Sequence, residues 1–364
     1  MQQNVSRRSF LRLAGAASLL GLAGCSGGSG SDPKADDSKS AAKELKSTSG
    51  KTLKVLCTNE SYKKLFDKFT SEVGAPVEYV SMSSGEVLSK LKAEGGKPAA
   101  DLWFGGGIDS FMSAADSGLL EKVDFDRASE FAEGFKSDEN YWFSKGATVV
   151  GFIVNNDILQ EVGANKPESW ADLTQPVFKD EIMMSSPAVS GTNYAAVAAI
   201  LQTMGEDEGW DYLAKLNENI PFYTKRGSDP STRVAAGEAA VGITYIDKTL
   251  DDILADGTLE LVYPKEGMPY IPDGVAAFAN ADDVEDAKLF IEWLFSSDDN
   301  LHDLANIDKK TTLLLALPTV SGIELDFDTS QLMDEDLTKF GSEREATLAK
   351  WDEVTTGKEV VSSK

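Results

Sequence analysis

Apolar and polar positions alternate along this chain in blocks whose period changes. Thr52-Leu53-Lys54-Val55-Leu56-Cys57 is a short strand-like run, and polar Thr58-Asn59-Glu60 breaks it. Tyr62, Leu65, Phe66, Phe69 and Val73 then recur at helical spacing. Pro76 to Val80 reads as a second strand, ended by Ser81-Met82-Ser83-Ser84-Gly85, and Val87, Leu88 and Leu91 begin another helix. Asp101-Leu102-Trp103-Phe104 is a third strand, ended by Gly105-Gly106-Gly107; Phe111, Met112 and Ala115 mark a helix closed by Gly118. Strand, polar loop and helix repeat three times, the signature of a mainly parallel sheet covered by helices.

Ala147 to Asn156 is the longest β-branched run and suits either one central strand or a crossing between lobes. Pro167-Glu168-Ser169-Trp170-Ala171-Asp172-Leu173 starts a helix, with Ser169 as its cap. Glu181 to Ser185 is a strand, and Ser190-Gly191-Thr192-Asn193-Tyr194 leads an Ala-rich helix to about Met204. Phe222-Tyr223-Thr224 and Ala240 to Thr244 are strands; Ile246, Leu250, Ile253 and Leu254 carry a helix. Leu259 to Tyr263 and Gly274 to Phe278 read as strands leading back, followed by a helix with Ala287, Phe290, Ile291 and Leu294 on one face. The alternation therefore resumes as a second α/β unit.

The first 24 residues do not fit this scheme. Ser6-Arg7-Arg8-Ser9-Phe10-Leu11-Arg12 is a twin-arginine pattern, and the small-residue apolar stretch to Gly24 is too short for a permanent membrane span. Residues 1–24 are expected to be a signal peptide. Leu22-Ala23-Gly24-Cys25 resembles a bacterial lipobox, which makes Cys25 the lipidated residue and the new N-terminus. Residues 25–50 are rich in Ser, Gly, Lys and Asp, contain little that can pack, and are expected to be a flexible tether. The expected location is the extracytoplasmic face of a cell membrane, with Cys57 left unpaired.

The full chain of 364 residues carries a formal charge of −25. Loss of residues 1–24 removes Arg7, Arg8 and Arg12 and no acid, so 32 basic residues face 60 acidic ones and the charge becomes −28. That argues against nucleic acid, whose phosphates need a positive surface. A small anion is compatible, because local backbone dipoles bind anions inside a negative protein. The residues after the tether are too many for one small core and suit two lobes in a monomer. No internal repeat and no second hydrophobic span appears.

Four stretches together carry a family resemblance. They are Asp101 to Gly107, Trp170-Ala171-Asp172-Leu173, Ser185-Ser186-Pro187 through Ser190-Gly191-Thr192, and Val234-Ala235-Ala236-Gly237-Glu238-Ala239-Ala240-Val241-Gly242-Ile243. In order and spacing, from about Lys51 to Leu317, they resemble the type II solute-binding proteins of ABC importers, in the ferric-iron or AfuA-like branch. The resemblance implies an α/β, two-lobed fold of the periplasmic-binding-protein type with a ligand cleft between the lobes. The expected division is lobe 1 at 51–148, lobe 2 at 149–260, and 261–364 returning to lobe 1 and ending in helices. It implies a small-molecule ligand and a permease with a cytoplasmic ATPase as partners. Beyond Ser321 the acidic, partly helical sequence carries no resemblance.

Ligands of such sheets bind beyond the carboxyl ends of strands, where unpaired N–H groups collect at helix N-termini. The candidate loops are Thr58-Asn59, Ser83-Ser84-Gly85, Gly105-Gly106-Gly107 and Ser190-Gly191-Thr192-Asn193. Singly, such residues are more often caps and turns. Arg226, near Gly227 and Ser228, is the candidate cation. Tyr245 and Asp247 follow a second-lobe strand and suit a hydroxyl or amine.

Ferric-binding members resemble one another in pairing adjacent tyrosines in the second lobe, often with a first-lobe histidine. Here Tyr245 stands between Thr244 and Ile246, and His302 is the sole histidine. A ferric ion needs several oxygen ligands in one place, so iron is disfavoured; the lack of His and Cys clusters disfavours zinc. No metal or other cofactor is expected. No nucleophile elbow, phosphate loop ending in Gly-Lys-Ser/Thr, or His-Glu-x-x-His appears, so an enzyme is not expected. The expected ligand is a small polar organic anion: a phosphorylated sugar, phosphonate or related phosphate ester. An amine or polyamine held by Asp247 and Glu60, ferric iron, and presentation to a sensor are the alternatives.

Overall fold

The computed structural model describes residues 45–362. The expected signal peptide, Cys25 and most of the expected tether lie outside the described residues. Within that tether, Leu45–Gly50 are described, and they are pinned to the body. Ser47 N donates to the Val73 carbonyl (2.9 Å), and the Ser49 hydroxyl to Asp283 (2.9 Å) and Asp286 (2.6 Å).

Among the described residues ten strands make one hydrogen-bonded sheet: β1 Leu53–Cys57, β2 Val77–Ser81, β3 Leu102–Gly107, β4 Phe143–Asn155, β5 Ile182–Ser185, β6 Tyr223–Thr224, β7 Val241–Tyr245, β8 Leu259–Val262, β9 Tyr270–Ala277 and β10 Val360–Val361. Their order is β10-β6-β5-β7-β4-β9-β3-β1-β2, with β8 also on β4. The flanks are parallel, as the repeated strand–loop–helix pattern requires. The middle is antiparallel, because β9 inserts between β3 and β4.

β4 joins the two halves of the path. Phe143 to Val149 pair with β9, while Val150 to Asn155 pair with β7 and β8. All thirteen of its residues are buried, which explains its long apolar run. The run is thus one continuous central strand, whose pairing passes from one half of the sheet to the other. The first half of the sheet carries β1, β2, β3 and β9; the second carries β5, β6, β7, β8 and β10.

Helices α1 Lys63–Val73, α2 Ser84–Ala93 and α3 Ile108–Asp116 follow β1, β2 and β3. α4 Asn156–Val162 follows β4, and α5 Gly191–Met204 follows β5. Phe66, Phe69, Phe104, Phe290 and Trp293 interlock in the first-half core at centroid distances of 4.9 to 5.8 Å. In the second half, Trp170 is fully buried, stands edge-on to Phe152 (4.8 Å), and donates Nε1–H to the Gly267 carbonyl (3.2 Å).

Two local expectations change. The Ser169 hydroxyl does accept from Asp172 N (3.2 Å), and Asp172 reciprocates from Ser169 N (3.0 Å). The helix they start, however, is one 3₁₀ turn, Ala171–Thr174, because Pro176 cannot continue it. Gly105-Gly106-Gly107 does not end β3 but finishes it, with a register shift between Phe104 and Gly107. Gly105 (φ 92°) and Gly106 (φ 102°) hold a backbone that side chains resist.

Candidate functional site

The expected loops from the two halves meet. Gly85 N, in the first turn of α2, donates to the Val189 carbonyl ahead of α5 (3.0 Å). The Ser83 hydroxyl donates to the Lys225 carbonyl (3.3 Å), and Arg226 Nη1 donates to the Ser81 hydroxyl (3.0 Å). Gly107 faces Gly191 so closely that a Cβ on Gly191 would lie 2.8 Å from Gly107 Cα.

Glycine is required at these contacts for space. A Cβ on Gly105 would lie 2.5 Å from Thr58 Oγ1, and one on Gly106 would lie 2.6 Å from Ser84 Cβ. A Cβ on Gly227 would lie 2.6 Å from Thr192 Oγ1 and 3.3 Å from Ser190 Oγ. Thr58, Ser83, Ser84, Gly105, Gly106, Ser190, Gly191, Thr192 and Gly227 therefore lie in one contact zone beside the N-termini of α2 and α5, where the Gly85 N–H is taken by the Val189 carbonyl. The Ser84 hydroxyl and both ends of the Asn193 amide are buried and have no hydrogen-bond partner among the described residues. Buried polar atoms of this kind are uncommon and call for an explanation.

Other candidates are placed differently. Asn59 is exposed and accepts from Ser61 N (2.9 Å), the bond of a helix cap. Ser228 offers its carbonyl to the Ser231 and Thr232 hydroxyls (2.8 and 3.1 Å). Arg226 is anchored by its own backbone, since its N–H donates to Asp229 (3.0 Å) and its carbonyl accepts from Ser185 (2.5 Å).

Tyr245 and Asp247 belong to a second cluster that the sequence reading missed. Lys145, on β4, is 2.6 Å from Asp308 and 4.0 Å from Asp273. Lys310 is 3.3 Å from Asp247 and 3.7 Å from Asp273. Thr148 donates to Asp273 (3.0 Å), and Lys310 Nζ stands 5.7 Å from the Tyr245 ring centroid. Burial opposes the charge on Lys145, but Asp308 and Asp273 outweigh it and hold the ammonium above its ordinary pKa. Burial, then the Asp247 carboxylate, raises the Tyr245 hydroxyl, keeping it neutral. Lys145 Cε would lie 3.4 Å from a Cβ on Gly105, so this cluster adjoins the glycine loop. The one signal available was a lysine inside an otherwise apolar strand run, Phe143-Ser144-Lys145-Gly146-Ala147.

Asp247 is thus already neutralised by Lys310, and it also accepts from Thr249 N (2.9 Å). Among the described residues, no three His, Cys, Asp or Glu side chains are grouped to hold a metal ion. The His302 ring contacts the Ser321 carbonyl (2.6 Å).

Known proteins resemble this chain over most of its length. Residues 64–321 match the family of bacterial extracellular solute-binding proteins. An uncharacterised protein of Haemophilus influenzae is 32% identical over 308 residues, covering 82% of this chain and 86% of its own. A probable ABC transporter periplasmic-binding protein of Sinorhizobium fredii, y4fP, is 27% identical over 238 residues, 62% of this chain and 64% of its own. The periplasmic binding protein AfuA of Actinobacillus pleuropneumoniae, solved with exogenous fructose-6-phosphate bound, superposes with a TM-score of 0.76 at 30% identity, covering 85% of this chain and all of its own. On this match the chain belongs to the bacterial extracellular solute-binding proteins, in the AfuA-like type II branch that serves ABC importers.

Proposed function

We propose that this protein is the lipid-anchored capture component of an ABC importer for a small organic anion bearing a phosphoryl or phosphonyl group. The observation that carries this reading is the convergence of strand-end loops from both lobes around buried, unpartnered donors. Ser84 Oγ and the Asn193 amide supply neutral donors there, and Arg226 supplies a cation that reaches from one lobe to the other. Backbone N–H groups and hydroxyls suit a phosphoryl group, whose charge is then compensated locally in a protein of strongly negative net charge. Each lobe holds half of the donors, so capture favours the closed arrangement over the open one, and a permease can distinguish the two. The fructose-6-phosphate held by AfuA points the same way. The engagement of Asp247 by Lys310 leaves an amine-bearing ligand without its expected counter-charge.

Calorimetric titration with fructose 6-phosphate, 2-aminoethylphosphonate, spermidine and ferric citrate tests this. A phosphoryl or phosphonyl compound is expected to bind. Arg226→Gln is expected to weaken that binding about 10- to 100-fold, the worth of a hydrogen bond to a charged group. Tight ferric binding lost on Tyr245→Phe would overturn the reading. For the anchor, Cys25→Ser is expected to move the protein from the membrane fraction to the soluble one; wild-type protein without acyl chains contradicts it.

A further inference from the structure

The segment beyond Ser321 plays no part in the capture just described, yet it touches both lobes. On lobe 1, Gly341 packs against Met112 of α3, where an added Cβ would lie 2.4 Å from Met112 Cβ. Leu337 packs against Gly134. On lobe 2, β10 extends the sheet beside β6, and Trp351 stands edge-on to Tyr223 at 5.2 Å. The Tyr194 hydroxyl of α5 donates to the Phe340 carbonyl (2.9 Å), and Asn217 Nδ2 to the Val354 carbonyl (3.2 Å).

Arg344 sits where these contacts meet. Its side chain is 8% exposed and that of Asp109, on α3, 1%. Arg344 Nε donates to Asp109 Oδ2 (2.7 Å), and Nη2 donates to the Ala188 carbonyl of lobe 2 (3.3 Å). The next carbonyl along, that of Val189, is the one that accepts from Gly85 N across the cleft. Asp109 Oδ1 has no partner among the described residues, while Oδ2 also accepts from the Ser110 hydroxyl (3.1 Å); among the described residues Arg344 is the cation paired with this carboxylate.

We propose that residues 337–361 form a strap that holds the two lobes toward the closed arrangement, with Arg344 as its positioning residue. The strap is rooted in lobe 2 through β10, Trp351 and Phe340, and it grips lobe 1 through Asp109 and Met112. Parting the lobes there leaves a buried carboxylate without its cation, which disfavours opening. The strap thereby sets how much of the population is ready to hold ligand, whatever the ligand is.

Hydrogen exchange of the full chain without ligand tests this independently of ligand identity. The amide of Gly85 reports lobe opening, and the amides of α1 and of the helix Val284–Ser296 report folding. Arg344→Ala alone risks unfolding, so the informative variant is Asp109→Asn with Arg344→Gln, a neutral pair of similar shape. Gly85 exchange is expected to rise about tenfold in it, with the folding reporters unchanged. Arg344→Lys keeps the charge and loses the fork, and a rise of about threefold is expected. Unchanged or slower Gly85 exchange in the folded double variant overturns the proposal, as does faster exchange confined to residues 339–354.

Discussion

Replacing Lys145 with methionine is expected to destabilise the fold by roughly 3–5 kcal/mol, the cost of leaving a buried ion pair with one partner. Lys145 lies on β4 at 4% exposure, and its ammonium is 2.6 Å from Asp308 and 4.0 Å from Asp273. Methionine has a similar reach and fills most of the space, so little of the loss comes from packing. What remains is a pair of carboxylates with Lys310 as their cation, 3.7 Å from Asp273 and shared with Asp247. Adding Asp308→Asn removes one uncompensated charge, so the double variant is expected to recover much of the stability. Urea unfolding of the two variants measures both effects. A single-variant loss under about 1 kcal/mol, the worth of an exposed pair, contradicts the role given to this cluster.

Gly85→Ala is expected to leave the protein folded while weakening ligand capture by at least about 100-fold, or about 2.7 kcal/mol. Gly85 lies in the first turn of α2 at an ordinary helical φ, where alanine is the better helix former by about 1 kcal/mol. Within its own lobe the substitution is benign. Across the cleft it is not, because the added Cβ would lie 2.2 Å from the Ala188 carbonyl oxygen and 2.8 Å from Val189 Cα. Both are backbone atoms that cannot swing aside, so the strain is relieved by parting the lobes. Thermal unfolding without ligand is expected to be unchanged or slightly improved, and calorimetry is expected to show the lost affinity. Wild-type affinity in Gly85→Ala means that the ligand is held without this interlobe contact.

Much of the fold was legible because its signals are local. A strand with period 2, a polar break and a helix with period 3.6 are written within some twenty neighbouring residues. β1 to α3 follow that grammar, and so do β5 and α5. The loops that meet across the cleft were legible for the same reason, as short polar or glycine residues after each strand. Their pairing was not. Nothing near Gly85 announces Val189, and nothing near Gly191 announces Gly107.

By itself the sequence determined the α/β class, the order of strands β1 to β9, the family and the set of strand-end loops. Only the tertiary structure decided that β9 returns between β3 and β4, that β4 hands its pairing from one half to the other at Val149–Val150, and that Arg344 bridges Asp109 and Ala188. It alone assembled Lys145 with Asp308, 163 positions away, and Arg344 with Asp109, 235 positions away. Secondary structure follows from each residue's own neighbours along the chain. A buried charge is tolerable only beside its partner in space, and no local pattern says which of 60 acids that partner is.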